Sequence, residues 1–237
     1  MQRQGTDVRE RPGQEHVTMT AEPPVSPVAE GARSLEVRWI FPGQLETAVA
    51  EWLERFPAES QSREDTYLVD PQLRGLSVKV RGDVALEVKV YRGSPGILDL
   101  AGRARGRMES WQKWSFPIAP LRQDSDDLAA WRPVRKMRRI SRFSLASRPV
   151  SAQAAGVGQE PQCAVELTEV RTSGRDWWTL GFEATGPDHL LRRALQATAA
   201  LVFAQALPGS VEPGTDESRS YIEWLRQRPG TERYADA

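Results

Sequence analysis

The feature that most constrains this chain is an alternation of apolar and charged residues, clearest in residues 75–91, GLSVKVRGDVALEVKVY. A period of two marks a β-strand with one face buried. Before the Gly82-Asp83 turn, Ser77, Lys79 and Arg81 share one face, while Leu76, Val78 and Val80 share the other. After it, Glu87, Lys89 and Tyr91 oppose Leu86, Val88 and Val90. Two such runs around a Gly-Asp turn predict a β-hairpin. A single hairpin of this kind is ordinary surface sheet with its charges in water. Here the rest of the chain repeats the pattern.

In chain order the alternation predicts a strand at 34–40, with Ser34, Glu36 and Arg38 on one face, and another at 63–69, with Arg63, Asp65 and Tyr67 aligned. After the hairpin, 107–116 places Arg107, Glu109, Trp111, Lys113 and Ser115 together, and 134–145 aligns Val134, Lys136, Arg138, Ile140 and Arg142. A second hairpin turns at Ser173-Gly174, with Glu166 and Thr168 on one arm and Thr179, Gly181 and Glu183 on the other. Helical spacing of Leu45, Val49, Trp52, Leu53 and Phe56 predicts an amphipathic helix over 44–56. A second is expected over 187–206 and a short one over 220–227. Residues 93–106 read as a Gly/Arg-rich loop, 128–131 as a helical turn and 151–162 as a loop. The expected organisation is a disordered tail over 1–32, one domain over 33–227 and a disordered tail over 228–237.

Eight strands sharing one design, with two amphipathic helices that need an apolar surface, predict an α+β fold. Its frame is an eight-stranded antiparallel β tunnel with the helices packed outside. Helices on the apolar faces leave the charged faces pointing inward, and closure removes exposed strand edges. An interior holding Lys79, Arg81, Lys89, Lys113, Lys136 and Arg138 is costly unless those charges are paired or meet an anion. Glu36, Glu87, Glu109, Glu166 and Glu183 can pair with them, or hold a hard divalent cation that grips phosphate oxygens. The chemistry favours a polyphosphate with Mg²⁺ or Mn²⁺; the bland alternative is a set of solvated or self-cancelling charged faces.

The 32 basic residues balance 32 acidic ones, so no global field points to nucleic acid or an anionic membrane. One cysteine, Cys163, and two histidines, His16 and His189, give neither a disulfide framework nor a structural zinc site. No apolar run approaches the roughly 20 residues that cross a bilayer, and the polar N-terminus does not read as a secretory signal. A cytoplasmic protein is expected. Trp111, Trp114, Trp177 and Trp178 read as core rather than as a stacking platform, and Arg103, Arg105 and Arg107 as a solvated basic loop rather than a clamp.

One ordered set of short motifs resembles a family. Glu36-x-Arg38, a helix, Arg63-x-Asp65-x-Tyr67-Leu68, Ser77-x-Lys79-x-Arg81 and Glu87-x-Lys89 come first. Lys136-x-Arg138, Val165-Glu166-Leu167-Thr168, Glu183 before a helix, and Ser220-Tyr221-Ile222-Glu223-Trp224-Leu225 follow. Over residues 34–227 this order resembles the CYTH or triphosphate tunnel metalloenzyme superfamily. The resemblance implies an antiparallel tunnel that binds triphosphate-containing compounds and hydrolyses or cyclises them with a divalent metal, Mg or Mn. It implies phosphate binding by Arg38, Lys79, Arg81, Lys89, Lys113, Lys136 and Arg138, and metal binding by Glu36, Glu183 and Glu166; no catalytic residue is singled out. The chain departs from the family's Glu-x-Glu-x-Lys first strand, having Ser34, Glu36 and Arg38. Its late strand offers Glu183 with Gly181 and Thr185 beside it, where the family has a pair of acids, and Thr168 stands where an aspartate is usual. Two readings stay open: a metal-dependent triphosphate phosphohydrolase, or an anion-binding sensor or interaction module without turnover. The expected partner is a small phosphorylated anion, not nucleic acid or membrane.

Overall fold

The computed structural model describes residues 31–118, 130–145, 151–152, 160–209 and 211–227. In chain order these form β1 (Ala32–Pro42), α1 (Thr47–Glu54), β2 (Glu59–Leu68), β3 (Leu76–Arg81), β4 (Ala85–Asp99) and β5 (Arg105–Pro117). Then follow β6 (Trp131–Ser144), β7 (Ser151–Ala152), β8 (Gln162–Thr172), β9 (Arg175–Thr185), α2 (Asp188–Val202) and α3 (Tyr221–Arg226). The strands pair in the order β2-β3-β4-β5-β1-β9-β8-β6, and a further β2–β6 pairing closes the ring. Every pairing is antiparallel, so the chain forms the expected eight-stranded tunnel, with β7 a two-residue addition on β6.

Both hairpin turns fall where the alternation put them. Gly82 and Asp83 have φ of 51° and 57°, and Ser173 and Gly174 have 50° and 73°. Two successive left-handed residues are what a tight turn needs to follow the twist of its strands.

Four local expectations are corrected. Of residues 93–106 only 100–104 are a turn: β4 runs on to Asp99 and pairs with β5 through Ile97↔Arg107 and Asp99↔Arg105. The register slips at Gly93 and Gly96, whose φ values are 121° and 122°. Bulges there bend the strand without ending it and break the alternation that marks a strand in sequence. Trp131 opens β6 instead of closing a helical turn, and residues 128–129 lie outside the described residues. Within 151–162, Ser151 and Ala152 pair with Ser144 and Phe143, and Gln162 already belongs to β8; 153–159 lie outside the described residues. Ala32, placed in the N-terminal tail, starts β1; residues 1–30 and 228–237 also lie outside.

The apolar faces of β1, β8 and β9 point outward and are covered by α1 and α2, as the helix spacing required. Trp39, Phe41, Val165, Leu167, Leu180 and Phe182 meet Val49, Trp52 and Leu53 of α1 and Leu191, Leu195 and Val202 of α2. Phe41 stacks on Trp178 at 4.3 Å, and Trp39 meets Phe182 edge-on at 6.2 Å. Each large side chain buried here contributes roughly 1.5–3 kcal/mol. A second cluster forms at one end of the ring, where Ile222, Trp224 and Leu225 of α3 pack against Tyr67, Trp111, Val134, Val170 and Trp177. Ser220 caps α3 by accepting the Glu223 N–H. Arg226 donates to the carbonyls of Asp70, Leu73 and Leu76, tying α3 to the β2–β3 connection. Among the described residues no helix is long and apolar enough to cross a membrane.

Candidate functional site

The inward faces of the strands meet in a lumen. All ten residues expected to bind phosphate or metal line it: Arg38, Lys79, Arg81, Lys89, Lys113, Lys136 and Arg138, with Glu36, Glu166 and Glu183. Arg219, Ser220, Tyr221 and Ile222 enter the wall from α3 and the turn before it, closing one end. Toward the other end the lumen widens into a cavity of about 450 Å³.

The architecture is a closed antiparallel tunnel with a charged inner wall. No family model matches the sequence, and no curated protein matches it. Three solved structures similar to this chain are the PH1819 and PH1012 proteins of Pyrococcus horikoshii OT3 and HpAC1 of Hippeastrum. PH1819 is 14% identical, with 81% of this chain and 98% of that one covered and a TM-score of 0.38. PH1012 is 16% identical, covering 79% and 98%, with a TM-score of 0.39. HpAC1, described as a candidate adenylyl cyclase that reveals a dominant triphosphatase activity, is 9% identical, covering 76% and 92%, with a TM-score of 0.36.

The closed half of the tunnel is built around Asp65, which the alternation put on the inner face without a role. Its fully buried carboxylate lies 2.7 Å from Lys136 Nζ, 3.1 Å from Lys79 Nζ and 3.3 Å from Arg63 Nε. Burial alone would raise its pKa; Lys136, Lys79 and Arg63 overcome that and hold the carboxyl well below the usual range. Lys136 also donates to the Tyr67 hydroxyl at 2.7 Å and stands 4.0 Å from the centre of the Tyr221 ring. Burial drives the Lys136 ammonium well below an ordinary lysine, with Lys79 adding to the shift and Asp65 opposing it. For Lys79 burial again dominates, lowering it to about 8. Glu87 completes the group, 3.2 Å from Lys79 and 2.6 Å from Arg81. Two carboxylates thus face four cations.

Toward the mouth the cations are less completely answered. Arg38 and Arg138 share one carboxylate, Glu166, and Arg38 also donates to Thr179 Oγ1 at 2.8 Å. Burial disfavours the charged form of Glu166, but the two guanidinium groups hold it well below the carboxylate range. Lys113 has no ion pair or hydrogen bond among the described residues. The Nε atoms of Arg63, Arg81 and Arg138 are buried without an aligned hydrogen bond. An unmet buried donor costs about 1–3 kcal/mol; Asp65, 3.3 Å from Arg63 Nε and 3.9 Å from Arg81 Nε, answers those two in part.

The three acids expected to bind metal do not fit that task. A hard divalent cation needs several oxygen ligands. Among the described residues no group of three or more His, Cys, Asp or Glu is arranged to hold one. Glu166 is engaged by the two guanidinium groups and by the Thr168 hydroxyl at 2.7 Å. Glu36 takes bonds from Ser34 Oγ at 2.7 Å and Lys89 Nζ at 2.6 Å. Glu183 lies 3.5 Å from the same ammonium, which holds its pKa down to about 2 against burial.

Other sequence candidates fall outside this chemistry. Trp178 is outer core and Trp177 packs on Trp224. Trp111 lines the lumen and donates to Glu109 at 3.2 Å. Arg103 donates to the carbonyls of Phe203 and Ala204, and Arg105 pairs with Asp99. Arg107 faces inward and joins Glu109 to Glu223 of α3. Burial pushes the Cys163 thiol up to about 12, leaving an inert side chain. Tyr221 carried no strand-period signal, because it enters the lumen from a short C-terminal helix; only its place in the ordered motifs marked it.

Proposed function

We propose that the tunnel binds a small polyphosphorylated anion, of the inorganic or organic triphosphate class, entering by the wide mouth. The observation that carries this reading is the imbalance of the mouth cavity. Arg38, Arg63, Arg81, Lys113, Arg138 and Arg142 line it, against Glu59, Glu166 and Glu183. Clustered cations with unmet donors in a recess are relieved by a ligand rich in charge and acceptor oxygens. A cavity of about 450 Å³ suits a small ligand. In this reading Arg38, Arg81, Lys113 and Arg138 meet the phosphates first. Lys79, Lys89 and Lys136, deeper or beside acids, set the field behind them.

The direct test is calorimetric titration of tripolyphosphate into the full chain, with Mn²⁺ present and then with the metal chelated. Saturable binding under both conditions is the expected result. Sustained heat abolished by chelation would replace the binding reading with metal-dependent hydrolysis. No heat under either condition would overturn both.

A further inference from the structure

Glu36 and Glu183 stand directly opposite each other on β1 and β9. Cross-strand partners have Cβ atoms about 5 Å apart, and two like charges so placed repel. A cation between them removes the repulsion, and the chain supplies one. Lys89, reaching over from β4, places Nζ 2.6 Å from Glu36 Oε1 and 3.5 Å from Glu183 Oε1. Ser34 Oγ donates to the same Glu36 oxygen.

The third acid near this pair is committed elsewhere: Glu109, opposite Glu36 on β5, accepts from Arg107 at 2.9 Å and from the Trp111 indole at 3.2 Å. At the next inward pair on these strands, Arg38 is opposite Gly181. A Cβ on Gly181 would come within 2.7 Å of the Arg38 guanidinium carbon, so the glycine is what admits that second cation. The acid pair is therefore bordered by the Ser34 hydroxyl, the Lys89 ammonium, the Arg38 guanidinium and the engaged Glu109 carboxylate.

We propose that Lys89 is the resident cation of this tunnel. It fills the place between Glu36 and Glu183 and keeps a divalent metal out, so the anion is bound by protein charges alone. A tethered ammonium supplies one charge and three N–H donors, which can neutralise and orient phosphate oxygens. It does not polarise a bound water as a metal ion does. Only the metal-free mode of anion binding rests on the function proposed above; the occupancy of the acid pair does not.

The test follows free Mn²⁺ by electron paramagnetic resonance as the full chain is added, with no anion present. Three proteins are compared: wild type, Lys89→Met and Lys89→Gln, each checked by circular dichroism for a wild-type fold. Wild type is expected to leave the free-Mn²⁺ signal unchanged. A folded variant is expected to take up roughly one equivalent, the two carboxylates now needing a hard cation. Adding Glu183→Gln to that variant is expected to abolish the uptake. Stoichiometric Mn²⁺ uptake by wild type overturns the proposal, whatever the variants do. So does a folded variant that takes up none. Because no phosphate is present, either failure is separate from a failure of tripolyphosphate to bind.

Discussion

The two halves of the tunnel use the same residue types to opposite ends. In the closed half, Asp65 is ringed by Lys136, Lys79 and Arg63, Tyr67 and Tyr221 stack around the lysines, and α3 covers the whole. Its central charges, Asp65 and Lys136, are almost wholly buried and paired with each other. At the mouth, Arg81, Lys113 and Arg138 border open space, and the Nε atoms of Arg81 and Arg138 lack an aligned hydrogen bond. A buried charge costs least when a partner is fixed beside it. A charge at a recess can leave its partner to be supplied by a ligand. The closed half therefore ties the ring together, and the mouth is where the proposed ligand would be met.

The largest expected effect breaks the closed half. Asp65→Asn leaves Lys136 and Lys79 buried beside a neutral amide, and removing one partner from such a set costs about 3–5 kcal/mol. Urea unfolding should show that loss; a variant as stable as wild type would mean that the lysines are already neutral in the fold. At the mouth the order of effects reverses. Arg138→Met should weaken tripolyphosphate binding by about tenfold or more, since a charge-assisted contact to phosphate contributes about 1.5–3 kcal/mol. Its unfolding midpoint should move much less than that of Asp65→Asn. A larger loss of stability than of affinity would place Arg138 with the structural half.

The pH dependence should divide the halves in the same way. Glu183 titrates at about 2 in the fold against an ordinary 4.5. It therefore contributes stability that is complete above about pH 4.5 and lost as pH falls toward 2. Lys79 behaves oppositely: lowered to about 8 from 10.5, it sheds its proton earlier in the fold than in the unfolded chain. Stability should rise between those two values. Unfolding midpoints across this range should show both limbs, Glu183→Gln flattening the acid one and Lys79→Met the alkaline one. The smallest effect belongs to Lys113→Met. With no ion pair among the described residues to lose, stability should stay within about 0.5 kcal/mol, while tripolyphosphate affinity falls measurably.

Much of this was legible in sequence because the β period assigns faces without reference to distance. Residues such as Lys79, Lys89, Arg138 and Glu183 reach the lumen simply by being at alternate positions of the strands that close the ring. What the period cannot express is which charges meet. Asp65 and Lys136 are 71 residues apart and touch only because β2 and β6 close the ring. The pairing of Lys89 with Glu36 and Glu183 likewise depends on barrel geometry. Bulges at Gly93 and Gly96 mislead for a related reason: an extra residue resets the phase, so a continuous strand looks like a loop.

α3 packs across one end of the described ring, so a ligand bound as proposed above would enter and leave by the same wide mouth. On that reading the leading end of a long anion would reach the interior while its middle stayed outside, and one occupant would have to depart before the next arrived.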